Sequence, residues 1–299
     1  MRRHRSMSKN ILIFGGGHVS QGIQKALHDT NHEVHCITSD TIDYSDFAAI
    51  RDYIVKKIYP DIVINTVAYT DVPGAEHRDK KAQVQELNVI FPVMASIWTN
   101  NIHAEFVHFS TNFVFDGKSN ELYDEYALTN PLNYYGVTKN RADIILSYRP
   151  LTKIFRLAGV YSNQGFSFAS QMKTKFMDMK MGLPSWHNSI DVVEDQFVQP
   201  SHADWIGEVV VQCLDKPYYG TYNLVPDGYC SYADWAEHML DRTDKTWAKT
   251  KINRIVSDAL MAQQVARPKR AILDNTRIKE TFGLTFPTWQ EVYDRYSTF

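Results

Sequence analysis

The sequence predicts an α/β fold: a doubly wound parallel sheet over residues 11–160, then a smaller C-terminal lobe over 161–299, with some later segments returning to the first part. Three observations lead there. Strand and helix signals alternate through the first half, glycines cluster at the first strand-to-helix junction, and the alternation dissolves after Val160. Strands alternating with helices place a parallel sheet between two helical layers, joined by right-handed crossovers.

Taken in order, Ile11–Phe14 is a short apolar run suited to a buried strand, and "GGGHVSQG" turns the chain into a helix ending near Leu27. Glu33–Thr38 reads as the second strand. Phe47, Ile50, Ile54 and Ile58 then mark one face of a helix. "DIVINTVA", from Asp61, is the third strand, and one long helix is expected from Lys80 to Asn100. "HAEFVHFS" supplies the fourth strand. Pro131 precedes a helix from Tyr134 to Leu146, with Val137, Ala142, Ile144 and Ile145 at its apolar positions. "LTKIFRLAGV" closes the series. Beyond it, "FSFASQMKTKFMDMKMG" reads as a helix with a methionine-rich packing face. "LPSWHNSIDVVEDQFVQPSHADW" mixes turns, a short strand and a helix start. Helical signals recur at His202–Leu214, Tyr232–Asp241 and Thr288–Tyr296, and the basic start "MRRHRSMSKN" reads as a disordered tail over residues 1–10.

Composition excludes several function classes. A net charge of −2 gives no reason to expect nucleic acid or a membrane surface as partner. No apolar run approaches the ~20 residues that span a bilayer, and only "ILIF" follows the basic start, too short for a secretory core. Cys36, Cys213 and Cys230 are far apart and odd in number, as expected of reduced thiols in the cytoplasm. The 11 histidines and three cysteines show no ligand spacing, so no metal is expected.

The glycine cluster has a chemical reading. Gly15, Gly17 and Ser20 fit G-x-G-x-x-[small], and His18 and Val19 open the helix that follows. Such a turn lets backbone approach a pyrophosphate at a helix N-terminus, as in a Rossmann-like dinucleotide site. A plain tight turn is the alternative. At the end of the second strand, "VHCITSD" puts Thr38 and Ser39 where a carboxylate would hold a ribose 2′-hydroxyl. That favours NADPH, with NADH left open. Asp43 either meets the adenine edge or holds its own turn.

Tyr135 and Lys139 stand four residues apart in "NPLNYYGVTKNRADIIL", on one face of the predicted helix. An ammonium beside a phenol lowers the phenol's pKa. The pair by itself reads by default as two polar residues on a wet helix, and a chain with 17 tyrosines makes the spacing unspecific.

Three motifs in order decide more: "GGGHVSQG", "VHFSTNFVFDG" and "NPLNYYGVTK", with weaker echoes in "INTVAYTDVPGAE" and "ARPKRAILDNTRIKETFG". Together they resemble the extended short-chain dehydrogenase/reductase superfamily, and within it the dTDP-4-dehydrorhamnose reductase family, over nearly the whole chain. The resemblance implies hydride transfer to a keto group of a nucleotide-activated 4-keto-6-deoxy sugar, with the C-terminal lobe binding substrate. It assigns Tyr135 as the acid, Lys139 as its electrostatic partner and ribose ligand, and Thr111 as the group that bonds the carbonyl oxygen. It places Asn65, Ala68 and Tyr69 on the cofactor side of the third strand, gives Asn88 a structural or relay role, and makes Arg156 a salt-bridged scaffold residue. Thr70, Asn112, Gln196 and Arg267 would face the nucleotide-sugar, and a homodimer is allowed.

Departures cluster on the sugar side. Ser110-Thr111-Asn112-Phe113 lacks the family's aspartate and tyrosine, Pro73 and Gly74 replace charged residues, and Gly159 stands where the family has a substrate-facing tryptophan. A different sugar is the expected consequence. Two other readings stay open. An epimerase/reductase needs a further acid/base pair, for which His18, His77 and His187 are the candidates. A non-catalytic NADP-binding regulator, resembling the methionine adenosyltransferase beta subunit, would use the same fold and show a large apolar patch.

Overall fold

The computed structural model describes residues 8–181, 189–243, 251–257 and 265–298. Its centre is a six-stranded sheet, every neighbouring pair parallel: β1 (Asn10–Phe14), β2 (Glu33–Ile37), β3 (Ile62–Asn65), β4 (Glu105–Thr111), β5 (Thr152–Leu157) and β10 (Gly220–Asn223), in the order β10-β5-β4-β3-β1-β2. The first five are the strands the sequence predicts, with β2 ending one residue before Thr38. The sixth was not foreseen, since "GTYN" is short and carries no apolar run. Asn10 opens β1, so structure begins inside the expected tail, and Ser8 already bonds the Asn31 carbonyl.

The helices follow in chain order: α1 (His18–Leu27), α2 (Phe47–Asp52), α3 (Val72–Ala75), α4 (Lys81–Gln85), α5 (Phe91–Asn101), α6 (Tyr134–Leu146), α7 (Phe168–Lys180), α8 (Ala203–Leu214), α9 (Tyr232–Asp241), α10 (Thr276–Phe282) and α11 (Trp289–Tyr296). The long helix expected from Lys80 to Asn100 is interrupted by a π-helical turn over Glu86–Ile90, which matters for the site. The small strands β6 (Val160–Tyr161), β7 (Ser189–Val193), β8 (Phe197–Val198), β9 (Ser201–His202), β11 (Cys230–Ser231) and β12 (Lys251–Ile255) pair away from the main sheet.

Alternation along the strands builds two cores on the sheet. Leu12, Phe14, Val63 and Phe106 face α5 and α6, while Ile11, Ile13, Val107 and Phe109 face α1 and α8. Gly22 and Gly207 let α1 and α8 touch backbone to backbone: a Cβ on Gly22 would lie 2.0 Å from the Ala203 carbonyl oxygen. From beyond Val160, α8 and α10 pack on this sheet and β10 joins it. A separate core gathers Tyr161, Met172, Phe176, Trp235 and Trp289. The methionine face of α7 is divided, Met172 buried in that core and Met177 and Met181 exposed. Among the described residues no helix is long and apolar enough to cross a membrane.

Candidate active site

The C-terminal ends of β1, β3 and β4 meet the N-termini of α1 and α6, the place where open parallel sheets bind ligands. At β1 the chain turns through Gly15 with φ +108°, a conformation that favours glycine, and Thr66 crowds the place of any Cβ. Ser20 closes the loop by donating to the Gly15 carbonyl at 2.6 Å. Gly17 has open space where a Cβ would stand, and no side chain caps the α1 N-terminus that it precedes. His18 and Val19 follow, both half-buried. Thr38 packs its methyl 3.1 Å from the place a Cβ on Gly16 would take, and Ser39 is exposed beside it. Asp43 is exposed, its carboxylate accepting from Ser45 N at 2.9 Å, so it holds its own turn. That bond draws its pKa below the ordinary value.

The loop after β3 is pinned from the π turn. Asn88 is fully buried; its amide accepts from Tyr69 N at 2.8 Å and donates to the Tyr69 carbonyl and to Thr138. A π turn inserts one residue into the helix. Here it sets Asn88 against both the loop and α6. Ala68 and Tyr69 are half-buried and Thr70 is exposed in the same loop. Asn65 departs from its expected place: it is fully buried beneath the loop, accepting from Val67 N and facing His108, rather than lining a cofactor surface.

Tyr135 reaches Thr111 because α6 is seated closely. Asn133 caps the helix by accepting from Gly136 N at 2.8 Å, and Glu76 accepts from Tyr134 N at 2.6 Å. A Cβ on Gly136 would stand 2.3 Å from the Phe113 carbonyl oxygen, so glycine lets the helix abut the turn after β4. Phe113 meets the Tyr135 ring edge-on, centroids 5.8 Å apart. The Thr111 hydroxyl stands beside the Tyr135 phenol, donates to Asn112 Oδ1 at 3.4 Å and accepts from Phe113 N. One turn along α6, Lys139 is 2% exposed and donates to the Phe109 carbonyl at 2.6 Å, with His108 Nε2 at 3.1 Å. Asp143, a turn further, pairs with Arg156 at 3.1 Å, and Arg156 also donates to the Glu125 carbonyl, the scaffold role expected of it.

Burial governs the electrostatics. It pushes Tyr135 up to about 12, with Asp143 adding and the Thr111 hydrogen bond opposing. Lys139 is brought down to about 8 by burial, against the pull of Asp143. His108 lies well below its ordinary value, through burial and then the Lys139 charge. In the protein alone, burial is the largest influence on the phenol, and the Lys139 amine turns inward to β4; the pull expected from Lys139 together with an oxidised nicotinamide belongs to the loaded enzyme.

The C-terminal segment lies across this site. Asn112 donates to the Ala271 carbonyl at 3.0 Å and Asn133 to the Ala266 carbonyl at 2.9 Å. Asn112 is buried with its amide engaged, so it anchors this strap rather than presenting a free group. Arg267 is half-buried near the Tyr232 phenol, and Tyr232 N donates to the Gln196 carbonyl, which brings Gln196 and Arg267 into one neighbourhood. The backbone at Gly159 calls for glycine. It takes φ +55° with Val198 and Gln199 filling the space of a Cβ, so no substrate-facing side chain fits there. Gly74 has a purpose of its own, leaving room for the Tyr69 hydroxyl. His18 packs near Gly165, His77 is exposed on a turn, and His187 lies outside the described residues.

His108, Glu76 and Gly136 escaped the sequence reading. Period-two alternation puts position 108 on the α6-facing side of β4 with Phe106. A lone histidine there, opposite a helix lysine, was the available signal.

A family profile described as RmlD substrate binding domain matches residues 9–298. The dTDP-4-dehydrorhamnose reductase of Escherichia coli (strain K12) is 29% identical over 294 residues, 94% of either chain. Among solved structures, a dTDP-4-dehydrorhamnose reductase from Clostridium acetobutylicum superposes with TM-score 0.86 at 26% identity, covering 96% of this chain and 98% of that one. One from Bacillus anthracis in complex with NADP gives 0.85 at 23% identity, covering 97% and 99%.

Proposed function

The chain belongs to the RmlD substrate binding domain family, and from that premise we propose that it is an NAD(P)H-dependent reductase of a nucleotide-activated 4-keto-6-deoxy sugar in deoxysugar biosynthesis, dTDP-4-dehydrorhamnose being the first substrate to test. The observation that carries the reading is the seating of Tyr135 against Thr111 with Lys139 one helical turn below. Three side chains in the order of a hydrogen-bonding group, an acid and a cation are what carbonyl reduction needs.

The residues of the first loop fit a dinucleotide. Gly17 leaves open space before an α1 N-terminus that no side chain caps, a setting suited to pyrophosphate. Gly15, Gly17, His18 and Val19 would hold that group, with Thr38 and Ser39 towards the adenosine ribose and Ala68 and Tyr69 towards the nicotinamide. Hydroxyls rather than a carboxylate after β2 favour NADPH. The reduced nicotinamide supplies the hydride when bound.

The chain's own residues do the rest. Thr111 Oγ1 donates to the carbonyl oxygen as negative charge develops on it. Tyr135 Oη delivers the proton that makes this oxygen a hydroxyl. A phenol whose pKa stands near 12 is fully protonated at neutral pH, the form that an acid requires. Lys139, as ammonium, would stabilise the phenolate left behind; its amine, held inward by the Phe109 carbonyl and His108, would reach the ribose hydroxyls of a bound cofactor only by turning outward. Arg267 and Gln196, near Tyr232, serve the sugar diphosphate; a guanidinium suits phosphate because its fork donates two bonds. A homodimer and a cytoplasmic location belong to the same proposal.

The test mixes purified protein, NADPH and dTDP-4-dehydrorhamnose, then other nucleotide 4-keto-6-deoxy sugars, and follows absorbance of the reduced cofactor. Oxidation that Tyr135→Phe abolishes is expected. No turnover of any sugar, with NADP bound tightly, would replace this reading by the regulatory one.

A further inference from the structure

Beneath the candidate site lies a fully buried polar chain that crosses three elements: Val67 N–H, Asn65, His108 and Lys139. Val67 N can only donate, and it lies 2.9 Å from Asn65 Oδ1. The amide of Asn65 is thereby oriented, and its NH2 group faces His108 Nδ1 at 3.1 Å. Nδ1 must then accept, which puts the proton of a neutral imidazole on Nε2. That nitrogen lies 3.1 Å from Lys139 Nζ. Lys139 already donates to the Phe109 carbonyl, and an ammonium has no lone pair with which to accept from Nε2–H.

We propose that Asn65 and His108 control the charge of Lys139: the Asn65 amide locks His108 as the Nε2–H tautomer, and this N–H is satisfied only by the neutral amine of Lys139. When Lys139 takes a proton from solvent, His108 must offer Nε2 as acceptor and carry its proton on Nδ1. Nδ1–H then opposes the NH2 group of Asn65. Turning that amide over merely moves the conflict to Val67 N–H. Every charged state of Lys139 therefore leaves one buried donor facing another, which disfavours that state.

The other charged groups around α6 do not relieve this. Tyr135 and Asp143 lie on the helix itself. Asp143 pairs with Arg156 of β5, and Glu105 of β4 pairs with Lys153 of β5. Glu76 accepts from Tyr134 N. His108 is the titratable group at hydrogen-bond distance from Lys139 among the described residues. The lowered pKa of Lys139 agrees in direction, as does that of His108, which burial and the Lys139 charge bring down.

His108 and Asn65 are thus positioning residues. They set the pH range in which Lys139 carries the charge assigned to it above, and the catalytic consequence rests on the reductase reading. The tautomer itself does not.

The experiment is 15N NMR of the full chain labelled in histidine, without cofactor, with His108→Gln identifying the signal. At pH 9 a bare Nδ1 and a protonated Nε2 are expected for His108. Lowering the pH through the Lys139 midpoint should switch the tautomer without forming imidazolium. Asn65→Asp keeps the acceptor for Val67 N–H and replaces the opposing NH2 group by an oxygen. It should bring the proton to Nδ1 at every pH and raise the Lys139 midpoint by about one unit, read from its side-chain signal. Nδ1–H at pH 9 in the wild-type protein would overturn the proposal, as would a tautomer indifferent to the ionisation of Lys139. The wild-type result stands even if Asn65→Asp fails to fold. Absence of sugar turnover with the expected tautomer would count against the reductase reading alone.

Discussion

Replacing Gly136 by alanine would test whether the close seating of α6 makes the site. The added Cβ would stand 2.3 Å from the Phe113 carbonyl oxygen and 3.0 Å from Pro131 Cβ, whereas ordinary contact begins at 3.4 Å. The turn after β4 and the start of α6 must therefore separate by about 1 Å. Both neighbours are held, Phe113 by backbone and Pro131 by its ring, so no flexible tip can yield. Thr111 and Tyr135 lie on opposite sides of this gap, one residue from it on the helix side. A shift of about 1 Å at a reacting group costs on the order of 100-fold in rate. Stability changes less: overpacking costs about 1–3 kcal/mol, and alanine returns up to ~1 kcal/mol of helix propensity. The expected result is a fall in kcat of roughly 100-fold with Tm lower by only a few degrees, measured by NADPH oxidation at saturating sugar and by calorimetry. A variant that keeps kcat within about threefold of wild type would refute the argument that this contact sets the geometry.

Other outcomes follow from the same contacts. The folded Lys139 has a pKa of about 8 against an ordinary 10.5, so between those values the unfolded chain binds more protons and stability rises with pH. This contribution amounts to roughly 3 kcal/mol in all; the difference in unfolding free energy between wild type and Lys139→Met, measured by denaturant titration from pH 7 to 10.5, should show it. Asn88→Ala strands the Tyr69 amide and carbonyl, at about 1–3 kcal/mol. It should raise the Kd for NADP, read by fluorescence titration, because Ala68 and Tyr69 lose their anchor. Gly22→Ala forces a Cβ to within 2.0 Å of the Ala203 carbonyl and should lower Tm by roughly 5 °C as α1 and α8 part; a Tm unchanged within error would show that the helices adjust freely.

Five of the six sheet strands and the span of α6 were legible because each announces itself locally. β1, β3 and β4 are apolar runs between turns, and α6 begins after Pro131 with a capping asparagine. β10 was not legible. Its "GTYN" holds its place through pairing with β5 and packing against Phe282, both remote in the chain. The π turn at Glu86–Ile90 was hidden for a similar reason: its cause is the demand on Asn88 from Tyr69 and Thr138, not any propensity of "ELNVI". That the backbone at Gly159 is left-handed against Val198 was likewise not legible, since it depends on packing with a remote strand.

Order and spacing along the chain sufficed for the α/β class and put forward the glycine turn and the trio of Thr111, Tyr135 and Lys139 as candidates, since repeat period and motif order are one-dimensional properties. The electrical state of that trio was decided in three dimensions. Whether a lysine acidifies a tyrosine depends on how far each is desolvated and on where the ammonium points. Here burial raises the phenol, the lysine turns towards Phe109 and His108, and Asn65, 74 residues away along the chain from Lys139, faces the other side of that histidine. Desolvation and hydrogen-bond direction are properties of the packed interior, and no spacing rule contains them.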